Sequence, residues 1–201
     1  MPNSKLSALR EEAKRKTIHI CGVAIPVLYL FLPKDLIVLG FVLSLFIIFI
    51  IEWLRFRGVV SLPFLRKNEE EKKEIGAHVF FVIGAFISIL IFEKSIAIAA
   101  ICMLAIGDAA SALAGEVMSV NNPEMQGKRM KPPTVMLVMF VTCLIIGWLV
   151  LHSLPVAVFG ALGATIADGV PFKVQKVAIN DNLTIPLFSG LMMSFGSLLT
   201  F

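Results

Sequence analysis

Cysteine is scarce in this sequence. The three present, Cys21, Cys102 and Cys143, lie inside apolar runs with no CxxC pair, and no Cys/His spacing reads as a zinc site. They are read as packing or lipid-facing residues. A small-residue cleavage site after the first apolar run is also missing, so no removable signal peptide is expected and that run should stay as a helix. GxxxxGK[ST] does not occur, which excludes a P-loop. The basic residues flank apolar runs without forming an aromatic-interleaved patch, which argues against nucleic acid as a partner. No repeat of fixed period and no low-complexity tract appears.

What the chain has is apolar length. Of its 201 residues 58% are hydrophobic and the mean hydropathy is +0.90, whereas an ordinary soluble domain is roughly 45 to 50% apolar. A soluble globule of this size could not hide that much surface, so lipid is the expected solvent. Seven runs approach the roughly 17 to 25 residues that a crossing helix needs: 17–32, 35–54, 75–92, 95–117, 134–152, 155–172 and 183–201. Helices satisfy every backbone group in lipid, so the predicted fold is an all-α polytopic bundle in a single domain. Lys and Arg then decide its orientation. Sixteen of the 18 fall on the N-terminus and the stretches 55–74, 118–133 and 173–182, leaving Lys34 and Lys94 on the other side. The positive-inside rule puts the N-terminus in the cytoplasm, where anionic head groups or phosphates suit the net charge of +4.

Ionisable side chains inside spans cost about 2.5 to 3.5 kcal/mol each at a helix centre, so each needs a reason. Asp108 falls in the inner half of the fourth span, on a face where Gly107, Ser111 and Gly115 recur at four-residue spacing and let another helix approach closely. Its carboxylate could hold Mg²⁺, accept a substrate proton, or serve only as an interhelical hydrogen bond. Asp168 repeats the design behind Gly160 and Ala164. Asn180, Asp181 and Asn182 open the last span: Asp or Asn caps a helix start and Pro186 suits its first turn, yet the cluster holds more oxygen than one cap requires. On the first span Arg15, Lys16 and His19 share one turn, and their donors could bind phosphate. Glu52 with Arg55, and Glu74 with His78, read as salt bridges or snorkelling groups. The loop from Gln126 to Pro133 sets Lys128, Arg129 and Lys131 beside Gly127, a polyphosphate contact or merely topogenic charge.

In order along the chain these residues resemble the CTP-dependent lipid-alcohol kinases, a family that includes dolichol (polyprenol) kinase, phytol kinase and the fungal type of diacylglycerol kinase. The resemblance covers most of the chain. It runs through Arg15 Lys16 xx His19 xx Gly22, Glu52 xx Arg55, Glu74 x Gly76 Ala77, Gly107 Asp108 Ala109 Ala110 Ser111 with Gly115, Gly127 Lys128, and Asp181 Asn182 Leu183 Thr184 Ile185 Pro186. It implies that Arg15, Lys16, Asp108 and Gly115 occupy positions needed for activity, and that Gly127 and Lys128 belong to a CTP-binding region. The chain departs from the family where GK[ST]xEG would continue the loop, reading Arg129 Met130 Lys131 Pro132 Pro133, and it has Asp168 where relatives tend to have Glu.

The resemblance therefore implies a Mg²⁺-dependent kinase that moves the γ-phosphate of CTP to the hydroxyl of a membrane lipid alcohol at the cytoplasmic face. Asp108 and Asp181 would bind the metal, with Asp168 a third carboxylate or base. Arg15, Lys16, Lys128 and Asn182 would meet the nucleotide, and His19 would orient a phosphate. Two other readings stay open: a CDP-lipid synthase, disfavoured because no dense Asp cluster stands near the C-terminus, and a non-enzymatic membrane carrier or scaffold.

Overall fold

The computed structural model describes residues 16–17, 19–62, 74–121, 130–174 and 177–200. Each apolar run becomes a helix. A 3-10 turn, Cys21–Val23, leads into α1 (Ala24–Phe31), and α2 (Lys34–Phe56), α3 (Ala77–Ile91) and α4 (Lys94–Cys102) follow. A π turn, Met103–Gly107, joins α4 to α5 (Asp108–Asn121) in one rod; then come α6 (Pro133–Leu151), α7 (Leu154–Gly169) and α8 (Asp181–Leu199). The described helices thus form seven rods in an all-α bundle. One addition to the predicted architecture is a minimal antiparallel hairpin, β1 (Lys173–Val174) with β2 (Val177–Ala178), in the stretch expected to be a plain loop.

Four rods are long and apolar enough to cross a membrane: Lys34–Phe56, Lys94–Met118, Pro133–Leu151 and Asp181–Leu199. This suggests a multi-pass membrane protein. Cys21–Phe31, Ala77–Ile91 and Leu154–Gly169 are apolar but shorter, because Leu32, Phe92 and Val170 leave the helix in extended conformation at their C-terminal ends. The rods differ sharply in burial. In the rod containing α4, 72% of the apolar window is buried, against 17% in α2, so α4 is the axis of the bundle and α2 its edge. The outward residues of α2, among them Phe46, Phe49 and Trp53, present the apolar surface that lipid requires.

Tight turns hold one end of the bundle together. The Lys34 ammonium donates to the Leu90 carbonyl at 3.0 Å and that of Lys94 to the Leu30 carbonyl at 3.2 Å, so each lysine satisfies a carbonyl orphaned at a neighbouring helix end. His152 closes α6 in the left-handed region at φ 54°, a conformation more often given to Gly or Asn. At the opposite end, Gly58 at φ 75° terminates α2. Its N–H donates to the Arg55 carbonyl at 2.8 Å and that of Val59 to the Leu54 carbonyl at 3.0 Å, the paired bonds of a Schellman cap.

Between helices in lipid the driving force is close packing of small residues, since hydrocarbon chains are as apolar as leucine. Of the predicted small-residue faces, Gly107 and Gly160 carry that load, while Gly115 meets only the Val135 methyl groups at 3.9 and 4.0 Å. Gly107 meets the Cys143 and Met139 side chains of α6, and Gly160 meets Met193 of α8. Gly163 is tighter, because a Cβ there would stand 2.6 Å from the Phe188 carbonyl oxygen and 2.9 Å from Met192 Cγ. A backbone oxygen cannot rotate aside. Gly163→Ala should therefore push α8 off α7 and cost about 1 to 3 kcal/mol, seen as a lower melting temperature in detergent. Gly40→Ala on α2, where nothing lies within 4 Å of the added Cβ, should show no such loss.

Pro186 lies inside α8, not in its first turn as the sequence suggested. Lacking an N–H it cannot bond the Asn182 carbonyl, and that oxygen faces α3, 2.6 Å from where a Cβ on Gly84 would stand. The cap itself is Asn180, whose side chain accepts from the Asn182 N–H at 3.0 Å.

A candidate anion and cation site at the polar end of the bundle

Three carboxylates far apart in sequence meet at one end of the bundle. Asp108, Asp168 and Asp181 each offer an oxygen, and these oxygens lie within 4.8 Å of one another. The π turn supplies the first. Counting 1.5 Å per residue from Lys94, Asp108 lies about 20 Å along its rod, towards the polar end. The i→i+5 bonding of the π turn makes a wider turn than the α-helix's 3.6 residues and changes the facing of all that follows, and Asp108, Ser111 and Gly115 line the same cavity. Asp168 comes from the last turn of α7 and Asp181 from the first residue of α8.

Cations meet these acids one by one. Lys16 bonds the buried Asp108 carboxylate directly, and His19 Nε2 stands 3.1 Å from the same oxygen. The His19 ring is held edge-on against Phe81, centroids 4.6 Å apart. Across the cluster, Lys131 Nζ donates to Asp168 Oδ1 at 2.6 Å and to Ser111 Oγ at 3.1 Å, and Ser111 Oγ donates to Asp168 Oδ2 at 2.6 Å. Burial works against the Lys131 ammonium, yet the carboxylate of Asp168, with those of Asp108 and Asp181 behind it, holds its pKa above the ordinary lysine value. It is charged throughout the physiological range. The described cluster thus carries three formal negative charges against two ammonium groups.

Beside these groups is a cavity of about 370 Å³ lined by Lys16, Asp108, Ser111, Gly115, Lys131 and Asp181, with Glu116 on its wall. Its volume falls in the roughly 300 to 1,000 Å³ of small-molecule sites. All the candidate ligand atoms are oxygens, a donor set suited to a hard divalent cation and unsuited to a soft metal. The lysines add what an anion requires.

Of the residues singled out in the sequence, Lys16, Asp108, Gly115 and Asp181 line the cavity, and His19 and Asp168 stand directly behind its walls. Asn182 does not join them. Its side-chain amide donates to the Ala77 carbonyl at 2.9 Å and is buried between α8 and α3, so the second residue of the helix is spent on packing. Arg15, Gly127 and Lys128 lie outside the described residues. Ser111, read as part of a small-residue face, and Lys131, read as one of three loop cations, also line the cavity; Glu116 was missed, although Asp108, Ala112 and Glu116 recur at four-residue spacing on one helical face.

A second polar cluster lies apart from the cavity. Arg55 pairs with Glu52 through Nε at 3.1 Å and Nη2 at 2.6 Å, and Nη2 also donates to the Glu74 carbonyl at 2.6 Å. His78 Nε2 stands 3.5 Å from Glu52 Oε1. Glu52 and Arg55 thus form the expected salt bridge, while Glu74 takes part through its backbone and His78 turns to Glu52. The cluster ties the end of α2 to the start of α3.

The chain is similar to the uncharacterized protein RP860 of Rickettsia prowazekii (strain Madrid E), 26% identical over 188 residues that cover 88% of this chain and 90% of the relative. No family profile matches the chain. No solved structure matches it. The relative is of similar length, and its description names no activity.

Proposed function

We propose that the protein is a CTP-dependent kinase that phosphorylates the hydroxyl of a membrane lipid alcohol, such as a polyprenol, another isoprenoid alcohol or a diacylglycerol. One observation carries this reading: three aspartates, two lysines and a histidine gather around one cavity at an end of the bundle. Phosphoryl transfer asks a protein mainly for positioning and charge neutralisation, and these groups supply both. All seven rods cross the bilayer in this reading, and the cavity faces the cytoplasm, the side that holds the basic loops.

In the reaction the acceptor oxygen bonds to the γ-phosphorus as the bond from that phosphorus to the β,γ-bridging oxygen breaks. The electron pair leaves with CDP. The hydroxyl proton passes to the Asp108 carboxylate, beside which His19 can take it on. Lys16 and Lys131, both on the cavity wall, draw the phosphate oxygens in. The oxygen donors of Asp108 and Asp181 fit Mg²⁺, which when bound supplies further neutralisation of the phosphate charge. Gly115 leaves the cavity wall open where a side chain would narrow it. The acceptor arrives from the lipid between helices, so only its hydroxyl needs to reach the polar end.

The decisive experiment incubates purified protein with lipid alcohols, Mg²⁺ and CTP labelled at either the α or the γ phosphate. Label from the γ position should appear in the lipid extract and label from the α position should not. Lipid carrying α label would identify a cytidylyltransferase instead and end the kinase reading.

A further inference from the structure

Resting on the phosphate-binding reading of the cavity, we propose that Lys131 contacts the bound anion and that Asp168 and Ser111 are positioning residues which hold its ammonium at the cavity wall. The order of these roles follows from exposure. The Asp168 side chain is 0% exposed, whereas that of Lys131 is 29% exposed and lines the cavity. Both Asp168 oxygens are engaged at 2.6 Å, one by Lys131 and one by Ser111. A carboxylate so occupied is poorly placed to take a substrate proton. It is well placed to fix a lysine.

An ammonium has three donors. Among the described residues Asp168 and Ser111 account for two of them, which leaves one for an anion in the cavity. The backbone narrows the freedom further. The Lys131 N–H donates to the Gly169 carbonyl at 3.1 Å, and Pro132 and Pro133 follow immediately, restricting Lys131 itself to extended conformations. Main chain and side chain are thus both tied to the end of α7, while Ser111 brings in α5. A lysine on a flexible stem ordinarily loses much rotamer freedom on binding a ligand. Here that ordering is complete beforehand.

The test measures binding of inorganic pyrophosphate to the full-length protein in detergent at low salt, by calorimetry, alongside thermal melting. Lys131→Met should weaken pyrophosphate binding by about ten- to a hundredfold, the range for losing a hydrogen bond to a charged group, and Lys131→Arg should recover part of it. Asp168→Asn should weaken binding comparably through the released lysine. Because either neutralising single variant leaves a charge unpaired, the double variant Lys131→Met with Asp168→Asn is the safeguard. It removes both charges and should fold, and it should bind no worse than Lys131→Met alone.

Native affinity in the double variant would overturn the proposal, as would native affinity in Asp168→Asn, which would leave a lysine that needs no positioning. Absence of saturable pyrophosphate binding to the native protein would overturn it too. The kinase reading is separable: pyrophosphate bound through Lys131 with no label moved from CTP sinks the kinase alone. Lipid phosphorylation by a protein whose pyrophosphate affinity ignores Lys131 sinks this inference alone.

Discussion

Replacing Asp108 by Asn should abolish lipid phosphorylation, lowering the rate by at least about 10²- to 10³-fold, the loss typical when one preorganised electrostatic group is removed from an active site. The substitution keeps the shape of the side chain and removes only its charge. That charge faces Lys16 and His19, and in the proposed reaction it both receives the proton and helps to hold the cation. Stability should fall as well, because the buried Lys16 ammonium loses its carboxylate, and breaking a buried pair costs about 3 to 5 kcal/mol. The two effects separate in the double variant Asp108→Asn with Lys16→Met. Melting in detergent should return towards the native temperature while activity stays lost. A carrier or scaffold would behave differently, since its function should follow folding alone. Native lipid phosphorylation by Asp108→Asn would remove this residue from the chemistry.

Why Asp108 could be read from the sequence, and the pairing of Lys131 with Asp168 could not, is a matter of solvent. A carboxylate within an apolar run has no water to pair with, so its presence alone demands a partner, and the same reasoning marked Asp168. Three of the rods begin close to the predicted runs because Pro33, Glu93 and Ser153 stand in extended conformation immediately before them. Lys131 stood only as one of three loop cations, read as a polyphosphate contact or as topogenic charge, with nothing to set it apart from Lys128 and Arg129. Lysines beside a membrane span are ordinarily explained by topology, and only the folded chain brings this one to Asp168. The π turn was invisible for a related reason: its residues, Met103 to Gly107, are as apolar as any ordinary helical stretch, and the wide turn is settled by packing against α6 and α8. Asn182 misled because an amide at a helix start suits a ligand and a neighbouring carbonyl equally well, and the Ala77 carbonyl takes it. Pro186 was assigned to a first turn on the assumption that the helix starts later than Asp181.

Filling the cavity from Gly115 should abolish ligand binding while leaving the bundle intact. The other glycines of the tight seams are held by contact, as the 2.6 Å approach at Gly163 shows, whereas a Cβ on Gly115 would meet only the Val135 methyl groups at 3.9 and 4.0 Å. That is ordinary van der Waals distance. Packing therefore gives no reason for glycine here, and alanine should fold as well as the native chain, helped by up to about 1 kcal/mol of helix propensity. Gly115→Leu is the informative change. Its side chain, growing beside Val135 on the cavity wall, takes space from a cavity of about 370 Å³ that a ligand would otherwise fill. Binding of pyrophosphate or CTP should weaken by more than a hundredfold with the melting temperature within a few degrees of native. A leucine variant that binds normally would mean that the anion sits elsewhere, and the convergence of Asp108, Asp181 and Lys16 would then be a device for pairing charges in lipid.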